Sequence, residues 1–261
     1  MGAKDITYFS LALLGLLILP LMYLNVRFKI NINKRILYAV ARMTIQLTLV
    51  GLYLQYIFKW NHIAINILYI VLMMLIASLS IIKSVKLPYK KMLLPIFVAI
   101  FIPTMTVLIY FNYVVVRATF LFDATYLITI GGMILGNVLN GIIVGMNSFY
   151  NGIVSQEKVY LYRLALGASK SQAKAPYFRE AVYATINPTI ASIATIGLIA
   201  LPGMMTGQIL GGSDPLVAIK YQIAIMLAIF IVKYLTIVLA LWFCSNTMFD
   251  GYGRLQIHRK A

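Results

Sequence analysis

Acidic side chains are scarce in this chain: six Asp and Glu stand against 22 Lys and Arg in 261 residues, with two His. The acids are Asp5, Asp123, Glu157, Glu180, Asp214 and Asp250, all at the margins of apolar blocks or in loops. Proton-coupled carriers place carboxylates or histidines inside the membrane, so the sequence argues against a proton relay. No His, Asp or Glu cluster has metal-ligand spacing, and no carboxylate pair or Gly-x-Ser-x-Gly supports catalysis. Cysteine is reduced to Cys244, which excludes an intramolecular disulfide. A Gly-Lys pair is missing too, and with it the phosphate loop Gly-x-x-x-x-Gly-Lys-Ser/Thr. If this chain pumps, a partner supplies the energy.

What is abundant is apolar sequence. Hydrophobic residues make up 62% and charged residues 11%, against roughly 25% charge in a soluble domain. About 18 consecutive apolar residues suffice to cross the hydrocarbon layer. Seven such blocks occur, at about 5–24, 36–58, 62–82, 92–111, 125–146, 184–206 and 222–246. The fold class is therefore an all-α polytopic membrane protein, expected as one transmembrane domain over 1–261. The ~10-residue alternating segments of a membrane barrel are absent. The first block, from Ile6 to Leu24, exceeds a signal-peptide core and lacks a cleavage site, so it is expected to stay as a helix.

The net charge of +16 marks topology rather than nucleic-acid binding. With the N-terminus outside, sixteen basic residues fall on inner segments and four (Lys4, Lys59, Arg117, Lys220) on outer ones. The last inner group is Arg254, Arg259 and Lys260. That bias is the positive-inside pattern, and it puts the C-terminus in the cytoplasm. The bilayer itself is then a partner, because basic residues attract anionic headgroups.

Polar residues inside the blocks are the candidates for function. Arg42 and Gln46 lie four apart, on one helix face; Arg42 either snorkels to the inner surface or joins a polar path. The fourth block holds Pro95 and Pro103, and the second is expected to kink its helix. In the fifth, Gly132 and Gly136 form a G-x-x-x-G, continued by Asn137, Gly141 and Gly145, a spacing that suits close helix packing. Asn137 and Asn140 are candidates for a transport path.

A long polar stretch follows, about 148–183, expected as a cytoplasmic helical hairpin between helices five and six. Gly167 ends its first helix, and Ser169 with Gln172 makes a capping-box start for its second. An amphipathic pair lying on headgroups is the competing picture. Beyond the sixth block the string Leu201-Pro-Gly-Met-Met-Thr-Gly-Gln-Ile-Leu210 should break or re-enter the membrane. Met204, Met205, Gln208 and Asp214 are its clustered donors. Thioethers suit soft ions better than ferrous iron and also serve as adaptable packing. Lys233 sits near the middle of the last block without an acidic neighbour and is expected to face a wet interior.

The string from Leu201 to Leu210, with Gly212, Asp214-Pro215 and Tyr221-Gln222, resembles the signature of the FetB-type permeases. These are membrane subunits of ABC transporters implicated in iron export, and the family includes plant aluminium-tolerance permeases. Arg42-x-x-x-Gln46-Leu47, Gly136-Asn137, Ala165-Leu-Gly-Ala-Ser169, Arg179-Glu-Ala181 and Asn187-Pro188 extend the resemblance over nearly the whole chain. It implies a non-catalytic permease in the cell membrane, paired with itself and with a separate ABC ATPase subunit. ATP and magnesium would bind that partner, and this chain would bind no cofactor. The hairpin also resembles the ATPase-coupling loop of ABC permeases. Leu161-Tyr162-Arg163 stand where that loop has Glu-Ala-Ala, so the coupling role falls to Leu166, Gly167, Ala168, Ser169 and Arg179. Competing readings are an ABC permease for a non-metal solute, an ATP-independent channel or carrier, and a structural scaffold.

Overall fold

The computed structural model describes residues 5–118 and 120–250, with Asn246 by its backbone alone. Lys4, His258 and the terminal basic residues Arg254, Arg259 and Lys260 lie outside the described residues. The first apolar block forms a rod in two pieces, α1 (Tyr8–Leu16) and α2 (Ile18–Arg27), joined at Leu17. Next come α3 (Asn33–Trp60), α4 (Ile63–Val85) and α5 (Tyr89–Tyr110), which continues through Pro95 and Pro103 into a π turn at Phe111–Val115. They are followed by α6 (Ala124–Ser155), α7 (Glu157–Ala165), α8 (Lys170–Thr195), α9 (Gly203–Leu210) and α10 (Pro215–Met248).

Two regions differ sharply in packing. α4, α5, α6, α8 and α10 form a body around α6. On α6 the buried positions Ile134, Val138, Gly141, Gly145, Phe149 and Ile153 recur every three or four residues, which is one face of a helix. In lipid such contacts stabilise through fit and dispersion, because the solvent outside is as apolar as the core. α1, α2 and α3 contain no buried residue at all, and α3 touches α6 lightly. An elbow ties α2 to α3, where Asn33 Nδ2 donates to the Met22 carbonyl and Asn25 Nδ2 to Asn33 Oδ1.

Hydrogen bonds fix both ends of the body. At one end Asn61 takes a left-handed turn (φ 40°), donates to Asp123 Oδ2 and accepts from the Ala124 N–H. Asn66 and Asn112 donate to the carbonyls of Phe122 and Leu121, holding the loop before α6. At the other end Lys170 donates to the Asp250 carbonyl, and Tyr150 meets Met248. α6 is 32 residues long, about 48 Å at 1.5 Å per residue. It therefore overruns a ~30 Å hydrocarbon layer and carries its last turns beyond it.

Among the described residues six helices are long and apolar enough to cross a membrane: Tyr8–Arg27, Asn33–Trp60, Ile63–Val85, Tyr89–Val115, Ala124–Ser155 and Pro215–Ser245. The block expected at 184–206 is not a single helix. It is the second half of α8, which stops at Thr195, followed by a turn and α9. The break comes earlier than Leu201-Pro202. Gly197 adopts φ 86° and donates to the Ala200 carbonyl, turning the chain where a side chain would be strained. Leu198 and Ile199 are left 87% and 83% exposed at that turn.

Candidate functional site

The hairpin between α7 and α8 is specified residue by residue. Ala168 N–H bonds the Arg163 carbonyl and Gly167 N–H the Leu164 carbonyl, with Gly167 at φ 89°. This is a Schellman stop, which needs a residue free of Cβ strain at Gly167. Ser169 Oγ then accepts from Gln172 N–H while Gln172 Oε1 accepts from Ser169 N–H, a reciprocal cap that starts α8. One helix ends and the next begins within a few residues, so the turn is rigid. Leu166 projects from it, 69% exposed. Behind the turn, Tyr160 is buried between Tyr177 and Phe249, and Arg163 lies 6.0 Å from the Tyr177 ring centre. Burial, Asp250 and Tyr177 all push the Tyr160 phenol up, so it stays neutral and packs.

Farther along α8 three helices meet closely. Thr185 Oγ1 donates to the Ala181 and Gly141 carbonyls, bridging α8 to α6. Lys233 of α10 is 8% exposed and donates to Thr189 Oγ1 at 2.7 Å. Its stem lies over Gly141, where a Cβ would collide with the lysine; a Cβ on Gly145 would strike Thr185 and Ile237. Lys233 therefore lies in a packed crossing of α6, α8 and α10. Its partner is 44 residues away in sequence.

The other polar candidates face outward from the body. Arg42 and Gln46 are exposed on α3 and, with Tyr38, Ala39, Met43 and Leu47, line a groove of about 390 Å³ along that helix. Asn137 and Asn140 are exposed on α6, and Asn137 Nδ2 turns back to its own helix at the Met133 carbonyl. Of the expected small-residue pattern, Gly141 and Gly145 make close contacts within this chain, as does the neighbouring Gly131, while Gly136 has open space around it and Gly132 meets the tip of Met73.

At the far end of α8 the Met204–Gln208 string forms α9, packed on α10. Met204 is part of the packing, Gln208 Oε1 is buried without a hydrogen bond, and Asp214 Oδ1 accepts from Leu216 and Val217 N–H to cap α10. Among the described residues no group of three or more His, Cys, Asp or Glu is placed to hold a metal ion. The structure adds Thr185 and Thr189 to the sequence candidates. Their four-residue spacing after Ala181 is the signal that could have found them.

Crossing-length helices, a packed body and a rigid terminal hairpin define a multi-pass membrane protein. The chain belongs to the UPF0014 family, an uncharacterised protein family whose model matches residues 8–249. It is 30% identical over 260 residues to the probable iron export permease protein FetB of Escherichia coli K12, covering 98% of both chains. It is 32% identical over 252 residues to the UPF0014 membrane protein YjkA of Bacillus subtilis 168, covering 95% of this chain and 98% of that one. The protein ALUMINUM SENSITIVE 3 of Arabidopsis thaliana is 31% identical over 232 residues, 88% and 82% of the two chains. No solved structure gives a significant match.

Proposed function

We propose that this chain is the permease of an ATP-driven exporter in the cell membrane, built as a single transmembrane domain with its hairpin and C-terminus in the cytoplasm. The rigid turn at Leu166–Ser169 carries the proposal. It presents an exposed leucine on a stiff support, and α8 runs from it without interruption to Thr195. A separate ATPase subunit, binding ATP and magnesium, would press on this turn. Arg179, on the same helix, adds a positive contact. Thr185 and Thr189 would pass the displacement to α6 and α10, since both bond across to those helices.

Two copies of the chain would complete the pathway. Arg42 and Gln46 have no hydrogen-bond or ionic partner among the described residues, although both lie within a crossing-length helix. A charged side chain at hydrocarbon depth is costly, and so is an amide without a partner. A second copy covering α3 and the Asn137–Asn140 face of α6 would relieve that cost and enclose a polar path. Iron or another metal is the favoured cargo, supported by the name of the Escherichia coli relative. Arg42 and the amides suit a metal carried as an anionic complex better than a bare cation.

The turn is tested by purifying the chain with its ATPase subunit and replacing Leu166→Glu, which leaves the backbone untouched, and separately Gly167→Glu. Loss of stimulated ATP turnover in both is expected. Unchanged assembly and turnover would end the coupling assignment. Cargo is tested by metal content: a deletion strain should accumulate iron that the restored gene removes.

A further inference from the structure

α8 begins with positive charge at the end of a helix that disfavours it. The macrodipole places partial positive charge at a helix N-terminus. Yet Lys170 is the first residue of α8, Lys174 follows one turn later, and the first turn has no acidic residue. With Arg179 and the rings of Phe149, Phe178 and Trp242, these lysines line a cleft of about 490 Å³ between α8 and α10. Every charged residue in its wall is basic. Lys170 donates to the Asp250 carbonyl at 3.2 Å, and the Lys174 ammonium lies 4.7 Å from the Phe249 ring centre. Burial and then the neighbouring Lys170 lower the proton affinity of Lys174.

The level of the cleft decides what anion fits. Trp242 and Ser245 of α10 line the cleft, close to the end of that helix at Met248. At 34 residues α10 is about 51 Å long and overruns a ~30 Å hydrocarbon layer, so its last turns reach the interface, the depth at which tryptophan concentrates. Cations at the wet side and aromatic walls toward the hydrocarbon match a molecule with a charged head and an apolar body.

We propose that this cleft seats an anionic phospholipid, its phosphate held by Lys170, Lys174 and Arg179 and its acyl chains passing Phe178 and Trp242. Basic pockets between membrane helices on the cytoplasmic side bind such headgroups. An acidic segment of a partner protein would match the charge but leave the aromatic wall unused. The lipid would brace the foot of α8, the helix that carries the hairpin turn. The proposal rests on the membrane reading and on the cytoplasmic placement of the hairpin, and not on the ATPase.

The chain has two tryptophans, so Trp60→Phe leaves Trp242 as the reporter. The purified protein is placed in phosphatidylcholine vesicles containing brominated phosphatidylglycerol or, in parallel, brominated phosphatidylcholine. The anionic lipid should quench Trp242 with a preference of about five-fold. The triple variant Lys170→Gln, Lys174→Gln, Arg179→Gln should bring the two lipids to parity, while Lys170→Arg with Lys174→Arg retains the preference. Excess inorganic phosphate should leave quenching unchanged; relief by phosphate would mean a free-anion site and overturn the proposal. Equal quenching by both lipids in the parent protein would also overturn it. Failure to float with vesicles would instead remove the membrane reading beneath it.

Discussion

The body of α4 to α10 and the arm of α1 to α3 are made of similar apolar helices, yet they solve different problems. In the body, two polar groups bridge packed helices: Thr185 bonds α6, and Lys233 bonds Thr189. In the arm, Arg42 and Gln46 sit on an open face. Hydropathy alone does not separate the regions, since Tyr8–Arg27 has mean hydropathy 2.1 and Ile63–Val85 has 2.5. What separates them is small residues at the right face. Gly141 and Gly145 have side chains of other helices pressed against them, whereas Gly15 and Gly51 have open space. The body is closed upon itself, whereas the described residues of the arm leave its faces open.

That contrast can be broken by substitution. Gly145→Leu should have the largest effect, about 3 kcal/mol of destabilisation, because the added side chain meets Thr185, Ile237 and the Ala181 carbonyl. Thermal unfolding in detergent reads it directly. Thr189→Val should cost about 2 kcal/mol by stripping the buried Lys233 of its hydrogen bond. Ser169→Ala removes one arm of the α8 cap and should cost about 1 kcal/mol. Gly51→Leu should change the stability of a detergent-solubilised single chain by less than about 0.5 kcal/mol. A large loss at Gly51 would show the arm to be packed after all.

The elements were legible in the sequence because their signals are local. Apolar length marks the crossing helices, Gly167 marks the helix stop, and Ser169 with Gln172 marks the start of α8, as the capping geometry shows. The exact end of the sixth block's helix and the contact faces were not legible. Gly197 breaks the chain before the Pro-Gly pair does, and nothing in its immediate neighbours signals a left-handed turn. Four-residue spacing identifies a face of α6 but not the neighbour it meets. Thus Gly132, Gly136, Gly141 and Gly145 all fit the packing pattern, but within the chain Gly141 and Gly145 make its close contacts while Gly136 lies open. For the same reason the neighbours of Lys233 were not legible: a threonine from α8 and the space above Gly141 receive it.

Cross-linking along α3 tests the claim that a second copy completes the arm. Cysteines are introduced singly in membranes by Ala39→Cys, Met43→Cys and Gln46→Cys, with Ile76→Cys on the exposed face of α4 as the control. Cys244 is buried in α10 and stays out of the reaction. Oxidation should give covalent dimers at the three α3 positions and none at Ile76→Cys. Monomers at every α3 position, or equal cross-linking at Ile76→Cys, would contradict the account.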